Sequence, residues 1–370
     1  MSPSAPRDAA SSLWMGVMTG TSMDGIDLAL IQGGEEPQLV DFLSRPMSQA
    51  LVHQLHRLQT DQVVDGIDAA AQAGLALSIE IAGGIQALQA RHPGLRIAGV
   101  GVHGQTIRHR PSEGYSLQLL HAPTIAERTG LDVVYDFRNR DVAAGGQGAP
   151  LVPIFHAALL RGHAGAGVLN LGGIANLTVI KTDTVIGFDT GPGNTLLDAW
   201  AKEQTGHAID TEGRLAASGQ LNRLLLEQLL ADAYFALPPP KSTGRDHFHL
   251  AWVAAKAGEA GLALGDLPPD DVQRTLVELT ARSVAAQCPK DVRAIYVCGG
   301  GVHNPVLMQA LSDALGCDLL KTDALGWPSQ SIEAAAFAWL AQACVERQSG
   351  NLPSVTGAAG PRILGSICPA

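Results

Sequence analysis

The chain has 370 residues and a formal net charge of −10, with 35 acidic against 25 basic side chains, a balance that argues against generic nucleic-acid binding but not against a small phosphorylated ligand in a local site. Hydrophobic residues make up 46% and charged residues 16%, which excludes global disorder and, at this length, favours two packed cores over one. The five cysteines are odd in number, form no CxxC pair and begin only at Cys288, so neither a disulfide framework nor a zinc site is expected and a reducing cytosol fits.

The opening MSPSAPRDAASS has no apolar core and reads as a frayed tail, and no apolar run is long enough to span a bilayer, so a soluble cytoplasmic protein is expected. Residues 14–31 read as strand, turn, strand: Met15 and Val17, then Ile26, Leu28 and Leu30, alternate around a Gly/Ser/Asp turn. A strand is expected near 38–42 and a helix over 50–59, from Leu51, Leu55 and Leu58. An Ala-rich helix over 67–90 carries Leu75, Ile79 and Ile85 and is ended by Pro93-Gly94. A short apolar strand at 97–102 runs into HGQT (103–106), and after a helix near 123–129 a strand at 133–135 runs into DFRNRD (136–141). Strands alternating with helices imply an α/β protein.

After AAGGQGAP the text restarts. VMTGTSMDGIDLALI and VLNLGGIANLTVI are both strand, glycine-containing turn, strand, and each opens a half of the chain; this is a weak internal repeat at the scale of a domain. A strand at 185–188 leads to the turn DTGPGN (189–194) and a helix through Leu196, Leu197, Trp200 and Ala201. Three prolines make LPPPKSTGRD (237–246) a loop. A helix at 271–286 and a strand at 295–298 precede GGG (299–301). The next helix is signposted by Asn304 as N-cap, Pro305 at its first position, Leu307, Met308, Leu311 and Leu315 on one face, and Gly316 past its end. A last helix covers 331–345 before a Gly/Pro-rich tail.

Three glycine-rich turns thus follow strands, a setting in which backbone N–H groups can converge on an anion. MTGTSMDGID adds the hydroxyls of Thr19, Thr21 and Ser22 and the carboxylates of Asp24 and Asp27, which suit magnesium, yet a plain Asp-Gly hairpin turn explains it equally well. No GxxxxGK[ST] P-loop, GxGxxG or GxSxG motif occurs. Asp189 ends a strand, where open α/β sheets bind ligands; it is a candidate base or metal ligand, or an Asx-turn residue satisfied by its own backbone. CGGG (298–301) suits close passage of a flat or phosphorylated group, or is an ordinary strand-to-helix turn. Arg138 and Arg140 are candidate bidentate carboxylate binders, and His103 and Gln105 candidate partners of sugar hydroxyl or amide groups; the alternatives are a surface ion-pair cluster and a satisfied buried histidine. Glu333 sits in the first turn of a helix, where the macrodipole favours it. His247 and His249, two apart in a loop, read as surface residues.

Two halves that each open with a glycine-turn hairpin, an acidic turn after a strand and a late GGG are similar to the acetate and sugar kinase, heat-shock ATPase and actin superfamily. Longer strings carry a sharper resemblance: MTGTSMDGID, HGQTIRHRP, AERTG, DFRNRDVAAGGQGAPLVPIFH, LGGIANLT, GFDTGPGNTLLDAW, YFALPPPKSTGRDHF, VCGGGVHNP, EAAAFAWLA and NLPSVTGAAGPRILG, taken in order from residue 14 to the C-terminus, resemble the anhydro-N-acetylmuramic acid kinase family. The resemblance implies an α/β protein of two ribonuclease-H-like domains, each a mixed sheet with flanking helices, with an ATP cleft between them. The domains would be residues 13–145, rejoined by 340–370, and residues 146–339.

It also implies an activity. The family converts 1,6-anhydro-N-acetylmuramic acid, ATP and water to N-acetylmuramic acid 6-phosphate and ADP in peptidoglycan recycling. Gly20, Thr21, Ser22, Met23, Asp24, Gly25, Ile26 and Asp27 would form the ATP phosphate loop, with Mg2+ nearby and Asp24 holding it through water. Asp189 would be the catalytic base, and Gly299, Gly300 and Gly301 would pass under the adenosine. His103, Gln105, Arg138, Arg140 and Glu333 would bind the sugar substrate. Water attack at an acetal carbon and phosphoryl transfer both demand a closed, dry site, so domain closure is expected. A homodimer is implied, with no nucleic-acid or membrane partner.

Departures from the family pattern fall at MTGTSMDG for MSGTSLDG, at LGGIAN for an IGGIAN-type turn, at His121-Ala122, at His249 in place of Asn, and at PSQSIEA in place of PDxxEA. Three competing readings differ in their use of ATP. Another sugar or carboxylate kinase of the superfamily would turn it over, a nucleotide sensor would bind it without turnover, and a glycosidase using Asp189 and Glu333 would ignore it.

Overall fold

A computed structural model describes residues 12–20, 23, 25–59 and 66–370; most of the expected frayed tail, and Thr21, Ser22 and Asp24, lie outside the described residues. The chain divides into two compact units, residues 1–161 with 331–370, and residues 162–330.

In the first unit the period-two hairpin forms as expected, from β1 (Leu13–Thr19) and β2 (Gly25–Gln32), and β3 (Gln38–Pro46) continues it as an antiparallel meander. Then come β4 (Ile97–Val102), β5 (Gln105–Arg110), β6 (Tyr115–Leu119) and β7 (Val133–Tyr135). β4 lies parallel to β1 and β7 parallel to β4, and the six-stranded order is C-terminal strand Ser366–Cys368, β7, β4, β1, β2, β3. The tail is therefore more than a Gly/Pro-rich coil: its end pairs antiparallel with β7.

Alternation gives the sheet two apolar faces. Met15, Val17, Leu28 and Leu30 pack in one cluster with Leu77, Ile81 and Ile85 of helix Gly66–Arg91 and with Leu51 and Leu55 of helix Gln49–Gln59. The long helix matches its expected extent but not its expected face. Leu75 and Ile79 are exposed, and the buried stripe is Ala73, Leu77, Ile81 and Ile85, four residues apart. Helix Ile332–Val345 packs against β1 and β4. A side chain on Gly16 would lie 1.9 Å from Ala334 O, and one on Gly101 2.0 Å from Phe337 O. Two strand glycines and an alanine-rich helix thus let backbone pack directly on backbone.

The expected strand at 97–102 forms as β4 and runs into HGQT, but a further element was missed: Gln105 opens β5, which pairs with β6 as a separate two-stranded ribbon. The ribbon's charged, half-buried residues gave no apolar alternation to read.

The second unit repeats the strand plan with β8 (Ala166–Leu171), β9 (Ile174–Ile180), β10 (Val185–Pro192), β11 (Ala294–Cys298) and β12 (Asp318–Lys321). β8, β9 and β10 form the antiparallel meander, β11 and β12 follow parallel to β8, and the order β10-β9-β8-β11-β12 reproduces β3-β2-β1-β4-β7. The repeat suspected from two similar hairpins is a repeat of whole sheets.

Helix Pro305–Leu315 follows its signposts, with Asn304 Oδ1 accepting from the amides of Val306 and Leu307 and Gly316 left-handed after it. Helices Arg223–Leu230 and Leu250–Glu259 escaped the sequence reading; Asn222 caps the first and His249, through Nδ1, the second. β10 also overruns its expected end at residue 188: pairing with β9 continues through Asp189 to Pro192, with a register shift between Asp189 and Gly191 that absorbs the glycines.

Candidate active site

In the first unit three of the candidate residues come together at the mouth of the β1–β2 hairpin. Gln105, fully buried, donates from Nε2 to Gly20 O at 3.2 Å, and Thr19 Oγ1 donates to Gly104 O at 3.0 Å. The HGQT segment is thereby tied to the start of the glycine turn. Arg138 Nε donates to His103 Nε2 at 2.9 Å and its Nη1 to Gly148 O at 2.7 Å. Burial first, then the Arg138 charge, holds the His103 imidazole well below the usual histidine range. A neutral ring that accepts at Nε2 carries its proton on Nδ1. That buried Nδ1, like Gln105 Oε1, makes no hydrogen bond of normal geometry among the described residues.

The remaining first-unit candidates divide. Arg140, two residues from Arg138 on helix Asn139–Val142, is exposed. Glu333 is half-buried in the first turn of helix Ile332–Val345, as expected. Of the glycine turn, Gly20 follows the first strand, Met23 is buried with φ 59°, and Gly25, Ile26 and Asp27 already belong to β2, Ile26 with its side chain in the core. Thr21, Ser22 and Asp24 lie outside the described residues. Asp141, unremarked in the sequence, is fully buried and ties its loop together: it accepts from Gly148 N, Asn351 Nδ2 and Thr356 Oγ1.

In the second unit each polar group of Asp189 has a partner. Its amide donates to Lys241 O at 3.2 Å and its carbonyl accepts from Tyr234 Oη at 2.7 Å. Its Oδ1 accepts from Asn176 Nδ2 at 2.9 Å and its Oδ2 from Thr243 N at 3.0 Å. Burial, then the Asp189 charge, pushes the Tyr234 phenol up, so it remains a donor. Asn176 reaches Asp189 because β9 and β10 pair them directly. Lys241 and Thr243 reach it because the proline-rich loop folds back along β10. Sequence reasoning missed all four partners. The one available signal was a lysine and a threonine placed directly after three prolines, in a segment too stiff to wander.

The neighbouring turns are stitched by carbonyls rather than opened as amide cradles. Gly173 O accepts from the amides of Gly193 and Thr195, and Gly172 O from Asn194 N, so the first amides of helix Asn194–Thr205 are already used. Gly299 has φ 83°, and a side chain there would lie 2.4 Å from Asn170 Oδ1 and 2.8 Å from the Leu171 carbonyl. Gly300 is exposed beside it and Gly301 buried. Gly299 N donates to Ser329 O at 3.1 Å, and Ser329 Oγ donates to Asp323 Oδ2. The departures at 121, 249 and 329 thus have local partners: His121 Nδ1 meets Thr124 Oγ1 at 2.8 Å, His249 caps a helix and Ser329 anchors the glycine turn.

Chemically, the second unit offers an oriented carboxylate and a glycine turn pared to backbone. The first offers a glycine hairpin braced by Gln105, with a neutral histidine and an arginine behind it. A family model described as anhydro-N-acetylmuramic acid kinase matches residues 12–370. The protein of that name from Bordetella petrii is 49% identical over 369 residues, which cover 97% of this chain and 96% of that one. The Bordetella pertussis protein is 48% identical over 378 residues, covering 97% and 96%, and that of Xanthomonas oryzae pv. oryzae 47% identical over 375 residues, covering 97% and 98%.

Proposed function

The chain belongs to the anhydro-N-acetylmuramic acid kinase family, and from that premise we propose that it opens 1,6-anhydro-N-acetylmuramic acid with water and phosphorylates O6 with ATP, giving N-acetylmuramic acid 6-phosphate and ADP in peptidoglycan recycling. The observation that carries the reading is the fourfold tethering of Asp189, whose carboxylate is held by Asn176 and Thr243 while its backbone is held by Lys241 and Tyr234.

Asp189 is the base. It takes a proton from water as the water oxygen bonds to the anomeric carbon; the bond from that carbon to O6 breaks, O6 bonds to the γ-phosphorus, and ADP leaves. A carboxylate fixed before the reaction avoids reorganisation at the moment charge moves. His103, Gln105 and Arg138 bind the sugar. The proton on His103 Nδ1 and the free Gln105 Oε1 offer one donor and one acceptor, a match for a hydroxyl or an acetamido group. Arg140 and Glu333 are assigned to the same substrate, Gly20–Asp27 to the ATP phosphates and Gly299–Gly301 to the adenosine. The two contact-defined units are taken as the two domains.

Magnesium belongs to this reading as the counter-charge on the ATP phosphates. A hydrated ion held mainly by phosphate and one carboxylate suits this reaction. Asp24 is the carboxylate proposed for it. A homodimer and a cytoplasmic location complete the proposal; among the described residues no helix is long and apolar enough to cross a membrane. The test is ADP formation by the purified protein with MgATP, with and without the anhydro sugar. ADP that depends on the sugar supports the assignment. ATP turnover indifferent to it, or none at all, would sink it.

A further inference from the structure

The loop after the three prolines buries a lysine among rings. Lys241 is 7% exposed, its Nζ donates to Tyr234 O at 3.0 Å and lies 4.6 Å from the centre of the Tyr234 ring and 6.0 Å from that of Phe188. No carboxylate lies within ion-pair distance of it among the described residues. An apolar side chain of similar length would fill this space without the cost of burying a charge. The charge therefore calls for a use, and the nearest is the aspartate two contacts away.

The contacts run in a short circuit. Lys241 Nζ holds the Tyr234 carbonyl, Tyr234 Oη holds the Asp189 carbonyl, Asp189 N returns to Lys241 O, and two residues on Thr243 N holds the carboxylate. We propose that Lys241 is a positioning residue for Asp189: its ammonium fastens the Tyr234 turn that clamps the Asp189 backbone, and its charge keeps the carboxylate ionised in the resting enzyme. The inference rests on the reading of Asp189 as the base.

Two cations of the proline-rich loop stand in this region, the buried Lys241 ammonium and the Arg245 guanidinium, which reaches Gly173 ahead of β9. β9 contributes the neutral Asn176, helix Ala233–Ala236 the Tyr234 phenol, the loop the Lys241 ammonium and Thr243 amide, and helix Pro269–Gln287 the neutral Gln287, which donates to Thr190 O at 2.6 Å. Burial lowers the Lys241 ammonium below the ordinary lysine value, and the Asp189 charge works against that shift. The two groups feel one another.

The test compares Lys241→Met, Lys241→Arg and Asp189→Asn in the full chain, by ADP formation with MgATP and the anhydro sugar across pH, with thermal melts to establish folding. Lys241→Met is expected to lower kcat by about 100-fold with both KM values within about threefold, since the loss falls on the base and not on binding. Its acid limb should move up by about one pH unit, because a carboxylate without its cation is protonated more easily. Lys241→Arg, which keeps the charge, should hold the limb at its original pH and recover most of kcat.

A folded Lys241→Met with near-normal kcat and an unmoved limb would overturn the inference. So would equal losses in both lysine variants without a limb shift, which would leave Lys241 a packing residue. If Lys241→Met does not fold, Tyr234→Phe decides: removing the hydroxyl that holds Asp189 O should lower kcat by about tenfold at unchanged KM, and an unchanged kcat would refute the circuit. The underlying reading fails separately, when Asp189→Asn itself keeps near-normal turnover.

Discussion

The two units run the same strand plan, yet they hold their candidate polar groups differently. In the second unit, β9 and β10 bring Asn176 opposite Asp189, the proline-rich loop adds two contacts and Tyr234 a third, and each carboxylate oxygen has a protein donor. In the first unit, Gln105 and His103 are buried where Asp189 is half-buried, and Gln105 Oε1 and His103 Nδ1 make no hydrogen bond of normal geometry among the described residues, as is also true of Thr243 Oγ1 beside Asp189. Leaving a buried polar group unpaired costs about 1–3 kcal/mol, which a bound hydroxyl or amide would offset. On the proposed assignment, the difference teaches that one sheet plan can carry two kinds of station: a fixed carboxylate, whose hydrogen bonds are closed within the protein, and a receptor, whose bonds are completed by what it binds.

The largest expected effect falls on the closed station. Asp189→Asn should lower kcat for ADP formation by about 10³-fold and leave the KM for ATP within about threefold, as for the loss of a general base; near-normal turnover would break the comparison at its centre. Next is the scaffold beneath the open station. Gly16→Ala would drive a methyl into Ala334 O and Ala338 N, and should cost the first unit about 3 kcal/mol in urea unfolding. An unchanged midpoint would mean that the helix on β1 shifts freely.

Acid should separate the units as well. His103 and His156 are buried in the first unit, and burial depresses both, His156 to about 3. No histidine of the second unit is buried among its described residues. Both groups have folded values below the unfolded 6.5, so their neutral forms stabilise fully above that pH. For His156 the stability is lost as pH falls from about 6.5 toward about 3, and His103 loses its contribution in the same direction. Hydrogen exchange at pH 5 against pH 7 should therefore loosen the first unit before the second; loosening in the reverse order would count against these two groups as the cause.

Two smaller effects bear on the open station. Arg138→Lys keeps the charge but loses the fork that reaches His103 and Gly148 together, and should raise the KM for the sugar about tenfold with little change in the KM for ATP. Arg140→Ala, at an exposed position, should change either KM by less than about threefold. Equal effects from the two arginines would show that the DFRNRD motif acts as one cluster after all.

Much of this was legible along the chain. Period-two runs such as Met15/Val17 and Ile26/Leu28/Leu30 announced strands, and Asn304, Pro305 and Gly316 bounded a helix almost to the residue. Two similar hairpins announced a repeat, and ten ordered strings announced the family. Other features were not legible. β5 is charged and half-buried, and in β6 the apolar Tyr115 and Leu117 are exposed while Ser116 is buried, so no usable alternation marked either strand. The buried face of helix Gly66–Arg91 could not be read because alanines blur the contrast between its sides. β10 ran past Asp189 because a register shift accommodates glycines that, in sequence, look like a turn.

The sequence by itself determined the class of fold, the family and the identity of Asp189, Arg138 and His103 as residues to examine, because those rest on local periodicity and on ordered motifs. Only the tertiary structure decided which of two neighbouring arginines turns inward, that His103 is neutral with its proton on Nδ1, and that Asn176, Tyr234, Lys241 and Thr243 converge on Asp189. Those facts depend on contacts between residues 13 to 54 positions apart. Strand pairing and loop return create such proximity, and no spacing along the chain encodes it.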